Sequence, residues 1–215
     1  MNRGIIITLP RNDYVTEYIS DSSKDIIIAA NKKGIQIKLL KDKDASRKHF
    51  EKAIKKLDYK MIIFNGHGTE DAIFGNKNEV LVKSGVNDDL LKERLIYART
   101  CDAARVLGEE CMRNTKTGCF MGYKLPFMFY IDERRISNPH KDAIAPLFLM
   151  PSNLIPISLI KGNTAYQANE KSKKQTMKNM NKLLRKGDNE SFWLAGALWN
   201  NYSGQVMIGN ESAIL

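Results

Sequence analysis

Two apolar runs in this chain end in side chains able to do covalent chemistry. Ile62-Ile63-Phe64 gives way to Asn65-Gly66-His67-Gly68, and Leu95-Ile96-Tyr97-Ala98 gives way to Arg99-Thr100-Cys101-Asp102. A thiol becomes a good nucleophile when a base or a thiolate-stabilising environment stands beside it, and imidazole serves both ends. A glycine directly after the histidine lets backbone N–H groups come close to a substrate carbonyl. The amides of Gly68 and Cys101 are therefore candidate oxyanion donors, each worth ~3 kcal/mol of transition-state stabilisation. Cys101 immediately precedes an expected helix, whose N-terminal partial charge favours thiolate, while Asp102 works against it. The pieces describe acyl transfer, with Cys101 as nucleophile and His67 as base.

The remaining histidines and cysteines read differently. His49 lies beside Phe50 on a helix and His140 in a loop, and both suit the surface. Cys111 falls within a helix and Cys119 within a strand, where a thiol is ordinarily a small core hydrophobe. The three cysteines are spaced by ten and eight residues, which is neither a disulfide framework nor the close pairing of a structural zinc site. No metal and no cofactor are expected.

The elements that position Cys101 and His67 alternate between strand and helix. Ile5–Leu9 is a short apolar run closed by Pro10, which suits a buried strand. A helix is predicted from about Ser20 to Lys33, with Gly34 after it, and a second strand over Ile35–Leu39. Asp44 can cap a helix whose Phe50, Ala53, Ile54 and Leu57 follow the i, i+3, i+4, i+7 rule. Met61–Phe64 is the third strand, Ile73–Val82 a hairpin broken by Gly75–Asn78, and a short helix near Asp88–Lys92 precedes the fourth strand, Arg94–Arg99. A helix over Ala103–Arg113 and a fifth strand at Gly118–Tyr123 follow. Helix resumes at Ala143–Met150, Thr164 to Gln167 reads as a capping box opening a long helix that Gly187 ends, and a helix over Phe192–Asn200 precedes a last strand, Gln205–Ile208. Such alternation predicts one α/β domain over residues 1–215: a mainly parallel sheet of about six strands, helices on both faces, right-handed crossovers. In these sheets the reactive site lies outside the carboxyl ends of the strands. Adjacent strands are about 4.8 Å apart, so side chains at two neighbouring ends come within reach of one another.

Composition narrows the classes further. The apolar share of 43% and charged share of 27% are those of a globular protein. No run approaches the 18 or more apolar residues of a membrane span, and the opening Ile5–Pro10 run is too short for a signal peptide, so a cytoplasmic protein is expected. The formal charge of +10 permits attraction to polyanions. Much of that excess lies on the outer face of the late helix, at Lys171, Lys174, Lys178, Lys182 and Arg185. With no aromatic–basic reader motif beside it, this is a solvated face first, and nucleic acid is not expected as a direct ligand. A nucleotide-binding reading lacks its loop: Leu9-Pro10-Arg11-Asn12 stands where a Gly-x-Gly-x-x-Gly turn belongs.

The strand ending Asn65-Gly66-His67-Gly68 and the strand ending Ala98-Arg99-Thr100-Cys101 resemble the two catalytic blocks of caspase-like cysteine peptidases. The C-terminal part resembles the CHAT proteases of bacteria, through Gly162-Asn163-Thr164-Ala165-Tyr166-Gln167-Ala168 and Val206-Met207-Ile208-Gly209-Asn210-Glu211-Ser212-Ala213. The resemblance implies a three-layer α/β/α sandwich, a dyad of His67 and Cys101, protein or peptide substrates and an activating partner protein. Arg99-Thr100-Cys101-Asp102-Ala103 replaces the caspase Gln-Ala-Cys-x-Gly signature, and the 34 residues from His67 to Cys101 fall short of the roughly 50 of caspases. Kinship is thus expected with the wider superfamily. A catalytically silent scaffold or regulatory subunit of the same fold is the main rival, and a basic nucleic-acid-binding module the second.

Two finer expectations follow. In the resembling families the residue two before the nucleophile lines the pocket for the side chain preceding the scissile bond. Arg99 in that place favours acidic or uncharged residues there; turned away by strand alternation, it pairs instead with Asp102 or Glu70. The irregular segment Lys124–Asp142, with Phe127, Phe129 and Tyr130 among its charges, reads either as a lid that orders over the site when substrate or an activating partner binds, or as a tolerated surface insertion.

Overall fold

The computed structural model describes residues 1–132, 134 and 141–215. The chain enters through β1 (Asn2–Leu9), buried from Gly4 onward. It then forms α1 (Tyr14–Ser22) and α2 (Lys24–Lys32), joined at Ser23, where the sequence predicts one helix from about residue 20. The extra helix owes its start to Asp13 and Thr16, which cap one another reciprocally. β2 (Gln36–Lys41), α3 (Arg47–Leu57) and β3 (Tyr59–Asn65) follow. The hairpin is β4 (Ala72–Phe74) with β5 (Val80–Lys83), and β6 (Leu95–Arg99) comes after it. The rest is α4 (Leu107–Met112), β7 (Cys119–Tyr123), α5 (Ala145–Ile160), α6 (Ala165–Leu184), α7 (Asn189–Gly204) and β8 (Gln205–Gly209).

Six strands make the main sheet in the order β2-β1-β3-β6-β7-β8, with only β8 antiparallel to its neighbour. Alternation along the central strands divides the core into two faces. Ile6, Ile62, Phe64, Ile96 and Ala98 pack with Phe50 and Ile54 of α3 and Leu107 of α4. Ile5, Ile7, Ile63 and Tyr97 pack on the other side with Ile26 of α2 and Ile155 and Leu159 of α5. This is the α/β/α layering expected from the sequence.

α5 departs from expectation. A proline removes a helical N–H and clashes with the preceding turn, so Pro151 reads as a stop after Met150. The helix nevertheless runs through Pro151 and Pro156 to Ile160. Eleven of its sixteen residues are buried, so packing against the sheet and α6 outweighs the lost backbone bonds. The capping box of α6 forms as read: Gln167 N–H donates to Thr164 Oγ1 at 3.2 Å and Thr164 N–H to Gln167 Oε1 at 3.1 Å. Among the described residues, no helix is long and apolar enough to cross a membrane.

Candidate active site

β1, β3 and β6 are adjacent and parallel, so the chain leaves their carboxyl ends side by side. Asn65 and Arg99 pair in register across β3 and β6, which puts His67 and Cys101 at the same offset, two residues beyond the last pair. Asn65 also ties β3 to β1. Its side-chain amide donates to the Thr8 carbonyl at 2.8 Å and its backbone N–H to Thr8 Oγ1 at 3.1 Å.

Gly66 turns the chain toward His67 at φ +134°, where a Cβ would come 2.9 Å from the Phe74 carbonyl and 3.1 Å from Pro10 Cγ. Only glycine fits that turn. Beyond it, Nε2 of His67 lies 2.7 Å from Oδ2 of Asp13, with the two side chains 38% and 39% exposed and so open to a substrate. The other oxygen of Asp13, Oδ1, accepts the Thr16 backbone N–H at 2.8 Å as the cap of α1. Burial raises the Asp13 carboxyl, but hydrogen bonds from His67 and Thr16 outweigh it and hold the group below its ordinary range. An ionised carboxylate accepts only, so Nε2 is the nitrogen that donates to it, and in the neutral ring Nδ1 is the acceptor.

Gly68 meets the second turn directly. A Cβ on Gly68 would lie 2.8 Å from the Cys101 carbonyl oxygen and 2.9 Å from Thr100 Cβ, so the histidine and cysteine turns are in contact. Gly68 bridges to Ile73, but the bonds of that bridge run from Phe74 N–H to His67 O and from Thr69 N–H to Ala72 O. The Gly68 N–H is left outside them. The Cys101 N–H likewise has no partner among the described residues. Asp102 then takes a left-handed conformation, φ 57°, which aspartate tolerates, and closes the turn by accepting Arg105 N–H at 2.9 Å.

The thiol itself is half-buried. Burial raises its pKa, the Phe127 backbone amide at the sulfur opposes that, and the Asp102 carboxylate adds to it. The helix dipole expected to favour thiolate is not there: α4 begins at Leu107, six residues after Cys101. Phe127 is brought in by the segment after β7. Lys124 N–H donates to Gly204 O at 2.8 Å, Asn200 binds the Pro126 carbonyl at 2.7 Å, and Asn201 holds both polar groups of the Met128 backbone. The first part of the expected lid is thus tied to α7; residues 133 and 135–140, with His140, lie outside the described residues.

Arg99 does not line an accessible pocket, and it pairs with neither Asp102 nor Glu70. Alternation turns it onto the face covered by α2 and α5, where it is 0% exposed. Its guanidinium donates to Asn65 Oδ1 (2.7 Å), Asn153 Oδ1 (2.8 Å), the Ile19 carbonyl (3.0 Å), Ser23 Oγ (3.1 Å) and Ser152 Oγ (3.2 Å). Every partner is a neutral oxygen. Glu70 pairs instead with Arg105. Cys111 and Cys119 are fully buried, with burial pushing Cys119 up to about 12 and Cys111 higher still. His49 bonds Ser46 Oγ at 2.8 Å on the surface, away from the two turns.

The sequence reading missed Asp13. Its signal was the Asp13-x-x-Thr16 pattern directly after the first strand, a helix start that the pairing of β1 with β3 brings beside the carboxyl end of β3.

No protein-family model matches this sequence, and neither does any curated protein sequence. Among solved structures, the Arg-specific cysteine proteinase gingipain R superposes on 99% of this chain with a TM-score of 0.59 and 13% identity. The match covers 47% of gingipain R, so the chain spans about half the length of that protein. At this identity the likeness is one of fold, and the fold of this chain is the caspase-like α/β/α sandwich.

Proposed function

We propose that this chain is a cysteine peptidase in which Cys101 is the nucleophile, His67 the base and Asp13 the group that orients the base. The observation that carries the reading is the convergence of three strand ends: Asp13 on Nε2 of His67 at 2.7 Å, and Gly68 packed on the Cys101 turn. Nδ1 takes the thiol proton as sulfur attacks the scissile carbonyl carbon. The new oxyanion accepts from the N–H groups of Gly68 and Cys101. The imidazolium then returns the proton to the leaving amine as the C–N bond breaks, and water, deprotonated by the same imidazole, hydrolyses the thioester. Substrates are proteins or peptides. Arg99, buried on neutral oxygens, is not the residue that selects them. A CHAT-type assignment rests on the sequence resemblance at Gly162–Ala168 and Val206–Ala213. A cytoplasmic location and an activating partner protein belong to the same reading.

A silent scaffold of this fold has one observation in its favour, the raised pKa of Cys101. A peptidyl electrophile separates the two readings. Under native conditions it is expected to modify one thiol per chain, identified as Cys101 by peptide mass mapping. The rate should rise from about pH 6 to about pH 9, because a thiol with a raised pKa gains thiolate throughout that range. Cys111 and Cys119 should react only after unfolding. Reaction no faster than with iodoacetamide, and indifferent to peptide sequence, supports the scaffold.

A further inference from the structure

The charge of this protein is concentrated in one place. Between Lys161 and Lys186 there are eight cations against one acid, Glu170, a net +7 out of the formal +10 of the whole chain. Lys171, Lys174, Lys178 and Lys182 recur at helical spacing on α6, with Arg185 at its C-cap, and all five are exposed. None of the five forms an ion pair among the described residues; Lys171 binds only the Asn163 amide oxygen, at 2.7 Å. A single-sign field of this density on an ordinary surface works against stability through self-repulsion.

The row also edges a groove of about 1110 Å³ between α6 and Leu154 of α5. A further 240 Å³ continues it along Leu147, Met150 and Leu154. The α5 wall is apolar, since that helix contains no charged residue, and Met150 is 60% exposed upon it. The floor is closed by amides: Gln175 donates to Asn179 at 2.8 Å, and Asn179 to the Leu147 carbonyl at 2.8 Å. From Lys171 to Arg185 the cationic wall runs about 21 Å, or four helical turns.

We infer that this groove docks an acidic amphipathic helix of a partner protein, apolar face on α5 and carboxylates on α6. The two walls select that occupant by chemistry. A nucleic-acid strand uses cations together with aromatic platforms for its bases, and the α5 wall presents only proline, leucine and methionine, with no aromatic ring. The surface is independent of catalysis, and its test needs no turnover.

The probe is a fluorescent peptide of about 18 residues with leucine at i, i+3, i+4 and i+7 spacing and glutamate elsewhere. It is titrated by anisotropy against the intact chain. Binding is expected to weaken at least about 30-fold in Lys174→Glu/Lys178→Glu/Lys182→Glu and about 5-fold in Met150→Ser. A peptide with serine in place of leucine should bind at least about tenfold more weakly. Retained binding in the charge-reversed chain overturns the inference. So does equal affinity for the serine peptide, or displacement of the leucine peptide by a single-stranded oligonucleotide of equal charge, since either makes the groove a bare polyanion surface.

Discussion

Cys101→Ala is expected to abolish peptide-bond cleavage while leaving the fold in place, because a half-buried thiol exchanged for a methyl loses little packing. His67→Ala should lower kcat/KM by about 10³-fold or more, the usual cost of removing the base from such a pair. Asp13→Asn is the more informative change. Asparagine caps a helix as well as aspartate does, so α1 should stand. Its amide, however, donates toward Nε2 and forces the imidazole proton onto Nδ1, where the base is needed. The expected loss is on the order of 100-fold or more in kcat, with the thermal midpoint nearly unchanged. Steady-state cleavage of a casein or a fluorogenic peptide library measures all three. Wild-type turnover by Cys101→Ala removes the proposed mechanism altogether.

The second large effect concerns stability. Arg99→Met keeps the length of the side chain and removes its donors. Asn65 Oδ1, Asn153 Oδ1 and the Ile19 carbonyl then lose their bonds inside a layer that excludes water. A loss of roughly 3–5 kcal/mol is expected, read as a fall in the urea midpoint at constant slope. Arg99→Lys, with three donors in place of five, should recover part of it. A midpoint unchanged in Arg99→Met shows that the guanidinium does not hold α1, α2 and α5 to the sheet.

The layering and the two strand ends that carry His67 and Cys101 were legible because β3 and β6 are buried on both faces. Their near-continuous apolar runs, Met61–Phe64 and Leu95–Ala98, stop abruptly at Asn65 and Arg99. Three features were not legible. α5 has no amphipathic period, since helix and sheet cover it from opposite sides, so its prolines, Pro151 first, were the punctuation available to a reader of the sequence. The face taken by Arg99 depends on its register with Asn65, a property of two strands that neither run contains alone. The stretch Asp102–Val106 is a series of turns that satisfies its backbone through Tyr123 O and Glu70 O, contacts far away in sequence, so a helix directly after Cys101 was the simpler reading.

Asp13 divides its two oxygens between the first turn of α1 and the ring of His67. Fraying of that turn and loss of the base's orientation are therefore one event. Helix ends open locally at far lower free energy than the whole protein unfolds. Under the proposed mechanism, molecules with the α1 terminus open form a native-like but catalytically idle population. Whatever stabilises that terminus enlarges the competent fraction without touching substrate, and native-state hydrogen exchange at the Thr16 and Glu17 amides reports its size. Under the proposed mechanism, activity is gated by the thermodynamics of a single helical turn, the one that Asp13 caps.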